Sequence, residues 1–187
     1  MGRMKIIVIG AGHAGVEAAA SARQAGAEVV LFSNERSLPY FRTRLPSVAF
    51  GLLPPEAIAL HPSEWYAAQG IDLRLDAAVR AIDPIRRTVC SAAGMEAYDA
   101  LVLAAGAVPL MPAIEGLTPD LPLHTLWSQA DAARLRAQAS PGRHLVVVGG
   151  GILGLEAALR AREANLEVTV VERMSRLMPL QFGTDGS

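Results

Sequence analysis

Cysteine is nearly missing. Cys90 is the single one in 187 residues, so the chain has no internal disulfide and no C-x-x-C redox pair. Net charge is small, at −1, which argues against general binding to nucleic acid or an anionic membrane. No apolar run reaches the ~20 residues needed to span a bilayer. The N-terminus enters a strand pattern without signal-peptide organisation, so a cytoplasmic protein is the simplest reading. No histidine has a second His, Cys or acid at ligand spacing, so no metal site is expected. His61 reads as a helix-start or surface residue, and His13, His124 and His144 as turn or strand-flank residues. What is present is a core: 51% of residues are hydrophobic and mean hydropathy is +0.30. That excludes disorder and suits one or two domains.

Ile6 to Ile9 is a short β-branched run, as expected of a parallel strand covered on both faces. It leads into Gly10-Ala11-Gly12-His13-Ala14-Gly15 and an alanine-rich helix ending near Gln24, with Gly26 as its stop. In G-x-G-x-x-G, the first glycine permits the tight turn. The second lets a pyrophosphate approach the backbone, and the third lets helix pack on strand. The helix N-terminus adds free N–H groups and partial positive charge. Glu28 to Phe32 reads as the second strand and runs into Ser33-Asn34-Glu35-Arg36. Glu35 is a candidate for the ribose hydroxyls, about 20 residues after Gly15; a solvated loop acid is the alternative. In Leu38-Pro39-Tyr40-Phe41-Arg42-Thr43-Arg44-Leu45-Pro46, Arg42 or Arg44 either neutralises a cofactor phosphate or is a solvated loop charge.

Residues 62–70 read as a short helix with a proline start and glycine stop, its Trp65 packed on the core. Ile71 to Leu75 alternates apolar and polar. Residues 78–82 and 87–91 are further strand candidates around an Asp83-Pro84 turn, with Cys90 as inert packing in this antiparallel region. Ala100 to Gly106 reads as a buried strand entering a small-residue turn. Pro109, Pro112, Pro119 and Pro122 mark a link that holds the domain boundary. Ser128 to Gln138 reads as a helix with a Ser128/Asp131 capping box.

The opening motif then recurs. His144 to Val148 leads into Gly149-Gly150-Gly151-Ile152-Leu153-Gly154-Leu155-Glu156. One constant shift carries Gly10, Gly12, Gly15, Glu17 and Arg23 onto Gly149, Gly151, Gly154, Glu156 and Arg162. The next strand, Glu167 to Val171, ends directly in Glu172. That is the expected position of an acid that binds both ribose hydroxyls and repels a 2′-phosphate, favouring NADH over NADPH. Arg173 and Arg176 weaken that preference. The matching position in the first unit is Ser33, so the two sites differ.

These two fingerprints, the 39–45 segment, Tyr98-Asp99-Ala100-Leu101-Val102-Leu103-Ala104-Ala105-Gly106 and the second glycine run resemble one family across nearly the whole chain. It is the FAD/NAD(P)-linked pyridine nucleotide-disulfide oxidoreductase superfamily. Its disulfide-free branch is nearest: rubredoxin and ferredoxin reductases, NADH oxidase-like proteins and the N-terminal part of nitrite reductase. The resemblance implies an α/β fold with two Rossmann-like βαβ units. A three-layer ββα FAD domain would occupy residues 1–111 and an incomplete NAD domain residues 112–187. FAD would be held by Gly10, Gly12, His13, Ala14, Gly15, Glu35, Arg36 and Arg42, and by the Ala104-Ala105-Gly106 turn. NADH would be held by Gly149, Gly151, Ile152, Leu153, Gly154 and Glu172, with Glu156 near the nicotinamide. Hydride would pass to the flavin, and electrons on to rubredoxin, ferredoxin, oxygen or a nitrite-reducing module.

Three departures stand out. Ala105 replaces the threonine of the family's Ala-Thr-Gly. Ser47 stands where many relatives carry a lysine near the flavin. Family members also continue well beyond the second βαβ unit, whereas this sequence stops at Ser187. The expectation is a truncated chain with exposed apolar edges, covered in a homo-oligomer or by a partner chain. Residues 179–187 read as unstructured. The alternative function is a dinucleotide-binding subunit or sensor without turnover of its own.

Overall fold

A computed structural model of the chain describes residues 2–118, 120–178 and 181–183. In chain order the elements are β1 (Lys5–Ile9), α1 (His13–Gln24), β2 (Glu28–Phe32), α2 (Leu45–Ala49), α3 (Ser63–Gln69), β3 (Ile71–Arg74), β4 (Val79–Asp83), β5 (Thr88–Ser91), β6 (Gly94–Ala97), β7 (Ala100–Leu103), α4 (Gln129–Gln138), β8 (His144–Val148), α5 (Ile152–Glu163) and β9 (Glu167–Val171). They form two compact units: Met1–Phe41 with Ala59–Val108, and Arg42–Ile58 with Pro109–Ser187. Residues 42–58, assigned to the first domain from the sequence, fall in the second unit. There α2 packs against α4 and α5.

The first unit is built on a four-stranded parallel sheet in the order β3-β2-β1-β7. Its two central strands are the β-branched runs read from the sequence, and alternate residues serve opposite faces. Val8, Val29 and Leu31 pack with Val16 and Ala19 of α1, Tyr66 of α3 and Ile71. Ile7, Val30 and Phe32 pack with Ala77 and Val89 on the other face. Val89 belongs to an antiparallel meander, β4-β5-β6. The unit therefore has three layers, meander, sheet and helices, which is the ββα arrangement expected.

The details correct the sequence reading in places. Ile71–Arg74, read from the sequence only as an alternating stretch, is the outer parallel strand beside β2. Gly94–Ala97 adds a strand that no apolar pattern marks. The segment at 100–103 is the sheet's other edge, only half-buried, with Leu103 66% exposed. Leu45–Ala49 is helical because Pro46 stands in its first turn, where a missing N–H costs nothing.

In the second unit β8 and β9 pair in parallel, from His144 opposite Glu167 to Val148 opposite Val171, with α5 as the crossover. Among the described residues these are its two strands. Burial alternates, and Val146 and Val148 are exposed. Helix α4 starts with the expected capping box. Asp131 N donates to Ser128 Oγ at 3.1 Å, and Ser128 N donates to Asp131 Oδ2 at 2.8 Å. The stretch expected to be unstructured, 179–187, lies outside the described residues except for 181–183. No helix among the described residues is long and apolar enough to cross a membrane.

An ion cluster ties the first unit's sheet to its meander. Lys5 Nζ stands 2.8 Å from Glu96 Oε1, and Arg74 bonds the same carboxylate and Asp72. Burial pushes the Glu96 carboxyl up, but the hydrogen bonds and charges of Lys5 and Arg74 together hold it below its usual value. A depressed carboxyl contributes stability above its unfolded value and loses it as pH falls through the folded one. Glu96→Gln should therefore destabilise the unit by about 1 kcal/mol at neutral pH. Chemical denaturation should show that difference closing once pH falls below the ordinary carboxylate range.

Candidate dinucleotide sites

Each unit carries one strand–turn–helix corner, and the backbone leaves no room for a side chain at Gly10 and Gly15 in the first and at Gly154 in the second. In the first, Gly10 has φ +102°, and its amide donates to Phe32 O at 2.9 Å. A β-carbon there would lie 2.2 Å from Ala104 O, because β7 ends against the turn. A β-carbon at Gly15 would lie 1.8 Å from Gly10 O, which brings α1 directly onto the turn. Gly12 differs: a β-carbon there would meet nothing within 4 Å. Gly12 caps α1 with extended backbone and no side-chain hydrogen bond. The corner thus presents open space in front of a helix N-terminus, flanked by the exposed first-turn residues His13 and Ala14. The His13 ring meets Phe41 edge-on, with centroids 5.1 Å apart.

The strand-end loop at 33–36 is pinned to the connection after β3. Ser33 N donates to Arg74 O at 2.8 Å, Ala77 N to Ser33 O at 2.7 Å and Asp76 N to Glu35 O at 2.9 Å. The Glu35 amide donates to Ser33 Oγ at 3.1 Å, and its carboxylate accepts from Tyr40 Oη at 2.6 Å. Arg36 forms an exposed ion pair with Asp76. Ala104 is half-buried against the turn, while Ala105 and Gly106 are exposed. The structure thus gathers the glycine turn and Ala104 at one corner, with Glu35 held on the loop that follows the neighbouring strand. Arg42 belongs to the second unit, where its guanidinium donates to Trp127 O and stands 5.1 Å from the centre of that indole.

The second corner repeats the first. Gly149 has φ +110°, and its amide donates to Val171 O at 2.8 Å. A β-carbon at Gly154 would lie 2.1 Å from Gly149 O, and Gly151 again faces open space. Ile152 and Leu153 are exposed on the first turn of α5. Glu172 is held by backbone: Oε2 accepts from Gly150 N at 2.7 Å and Oε1 from Met174 N at 2.8 Å. These bonds, first that from Met174 and then that from Gly150, hold its carboxyl below the ordinary value, so it is anionic at neutral pH. Glu156 pairs with Arg160 at 2.9 Å along α5. No group of His, Cys, Asp or Glu able to hold a metal occurs among the described residues.

Two residues escaped the sequence reading. A β-carbon at Gly150 would stand 2.5 Å from Leu177 Cδ2 and 3.2 Å from Glu172 Oε2, so the middle glycine makes room for the acid and the segment after it. The unbroken run Gly149-Gly150-Gly151 was its signal. Tyr40 supports Glu35 from five residues away, and no spacing rule marks it.

Known proteins share this arrangement. The chain is 38% identical over 182 residues to the ferredoxin–NAD(+) reductase component of a biphenyl dioxygenase system from Paraburkholderia xenovorans, covering 95% of this chain and 44% of that protein. It is 38% identical over 180 residues to a rubredoxin–NAD(+) reductase from Ectopseudomonas oleovorans, covering 94% and 46% respectively. The chain therefore spans less than half the length of these relatives. Among solved structures, a ferredoxin reductase from Rhodopseudomonas palustris superposes with a TM-score of 0.86 at 32% identity, over 98% of this chain and 46% of that one. Putidaredoxin reductase in its covalent complex with putidaredoxin gives 0.86 at 31% identity, over 98% and 45%. The family model for pyridine nucleotide-disulphide oxidoreductase matches residues 4–185. With two glycine corners of the same build along that whole length, the chain belongs to the pyridine nucleotide-disulphide oxidoreductase family.

Proposed function

We propose that this chain is the nucleotide-binding portion of a flavoprotein oxidoreductase that takes electrons from NADH through FAD to an acceptor protein or module. The observation that carries this reading is the repeated corner: two strand–turn–helix sites in one chain, each with open space at its middle fingerprint glycine. A pyrophosphate needs close approach to backbone N–H groups at a helix N-terminus, and Gly12 and Gly151 leave room for it.

FAD belongs on Gly10, Gly12, His13, Ala14 and Gly15, with Glu35 and Arg36 at its adenosine ribose. Ala104, Ala105 and Gly106 line its path, and Arg42 retains the cofactor role that the resemblance gives it. NADH belongs on Gly149, Gly151, Ile152, Leu153, Gly154 and Glu172, with Glu156 toward the nicotinamide. The flavin and nicotinamide supply the redox chemistry when bound. The chain's own part is to hold two dinucleotides by their phosphates and riboses and to choose between nucleotides. The anionic Glu172 accepts hydrogen bonds from both hydroxyls of an NADH ribose and repels the extra phosphate of NADPH.

The acceptor is of the ferredoxin or rubredoxin kind, following the names of the relatives. A homo-oligomer or partner chain covering the exposed valines of β8, and a cytoplasmic location, belong to the same proposal. Among the described residues β8 pairs with β9 alone, which favours one second reading, a dinucleotide-binding subunit without turnover of its own.

The chain incubated with FAD should retain a flavin spectrum after gel filtration, and NADH should bleach it anaerobically. Gly12→Ala should keep the thermal stability of the parent but weaken FAD retention at least tenfold, since its methyl group enters space reserved for ligand. Retention of flavin without bleaching supports the subunit reading, and a chain that takes up no flavin contradicts both. Glu172→Ala should raise the dissociation constant of NADH about tenfold and leave that of NADPH nearly unchanged or improved. Equal losses for both nucleotides, measured by fluorescence titration, would contradict the NADH assignment.

A further inference from the structure

The acid of the first site stands on a loop, yet its side chain is held from the core. Tyr40 is 5% exposed. Its backbone is fixed by a bridge to Ala59 and by the adjoining bond from Leu60 N to Pro39 O at 2.7 Å. From that anchored position the phenol donates to Glu35 Oε2 at 2.6 Å, a length typical of a hydroxyl on an ionised carboxylate. The Glu35 main chain is separately tied at both its amide and its carbonyl. Backbone and carboxylate are therefore restrained independently. A free glutamate side chain loses considerable rotamer freedom when it binds a ligand, and one already ordered loses less.

We propose that Tyr40 is the positioning residue for adenosine-ribose recognition in the first site. Its hydroxyl sets the Glu35 carboxylate in place before the nucleotide arrives. An ionised carboxylate has about four lone-pair sites, so accepting from Tyr40 is compatible with accepting from ribose hydroxyls. The device differs from that of the second site, where backbone amides orient Glu172. A strand-end acid can be held by neighbouring amides; an acid three residues along the loop from Phe32 is reached by a side chain from the core. This inference rests on the proposal that Glu35 takes the adenosine ribose of FAD.

Tyr40→Phe keeps the ring that fills the core and removes only the hydroxyl. FAD binding, read by quenching of flavin fluorescence, should weaken about tenfold. The loss should vanish when Glu35 is already Gln, because the two residues act as one unit. Displacement of FAD by ADP should weaken in Tyr40→Phe, while displacement by 2′,3′-dideoxy-ADP, which lacks both ribose hydroxyls, should not change. Equal weakening for ADP and its dideoxy analogue would overturn the inference in favour of a packing role for Tyr40. If Glu35→Gln weakens FAD binding and Tyr40→Phe does not, the positioning role fails and the ribose assignment stands. If Glu35→Gln leaves FAD binding unchanged, the ribose assignment fails and takes the inference with it.

Discussion

Helix α1 lies so close to the turn before it that one hydrogen atom is all the side chain that fits at Gly15, where a β-carbon would stand 1.8 Å from Gly10 O. The same approach recurs in α5, at 2.1 Å between a β-carbon on Gly154 and Gly149 O. Much follows from this contact. It directs each helix N-terminus back across the end of its parallel strand. The first glycine of each turn has a positive φ that L side chains rarely adopt. The middle glycine faces outward into open space. In the proposed reading, each diphosphate site is produced by this packing before any charged side chain takes part.

The two corners are alike in backbone and unlike in their surroundings. Beside Gly10 the carbonyl of Ala104 closes the first turn, because β7 lies next to β1. At Gly149 a β-carbon would meet nothing within 4 Å, and β8 has only β9 beside it among the described residues. The first corner sits in a complete three-layer packing, while the second rests on two strands with exposed valines. The acids differ in the same sense. Glu35 is oriented by a phenol anchored in the core and Glu172 by amides of its own loop.

Much of this was legible in the sequence because the determinants are local. Apolar, β-branched runs marked the two central strands, β2 at its observed bounds and β1 from one residue past its observed start, and Gly70 ends α3 in the left-handed conformation. The Ser128/Asp131 pair capped α4 as its spacing implied. What was not legible depends on pairing at a distance. The parallel partner of Ile71–Arg74 is set by β2, not by its own alternation. Leu103 looked buried in an apolar run but lies at a sheet edge. Tyr40 carried no local mark, since its link to Glu35 exists only once the 59–60 segment fixes its backbone.

The central claim is that the two corners hold two different dinucleotides at once. Calorimetric titration of NADH into the chain saturated with FAD tests it most directly. The account predicts uptake of one NADH per chain with the FAD retained, and one bound FAD in the absence of NADH. Displacement of FAD by NADH, with a single dinucleotide bound per chain throughout, would contradict it.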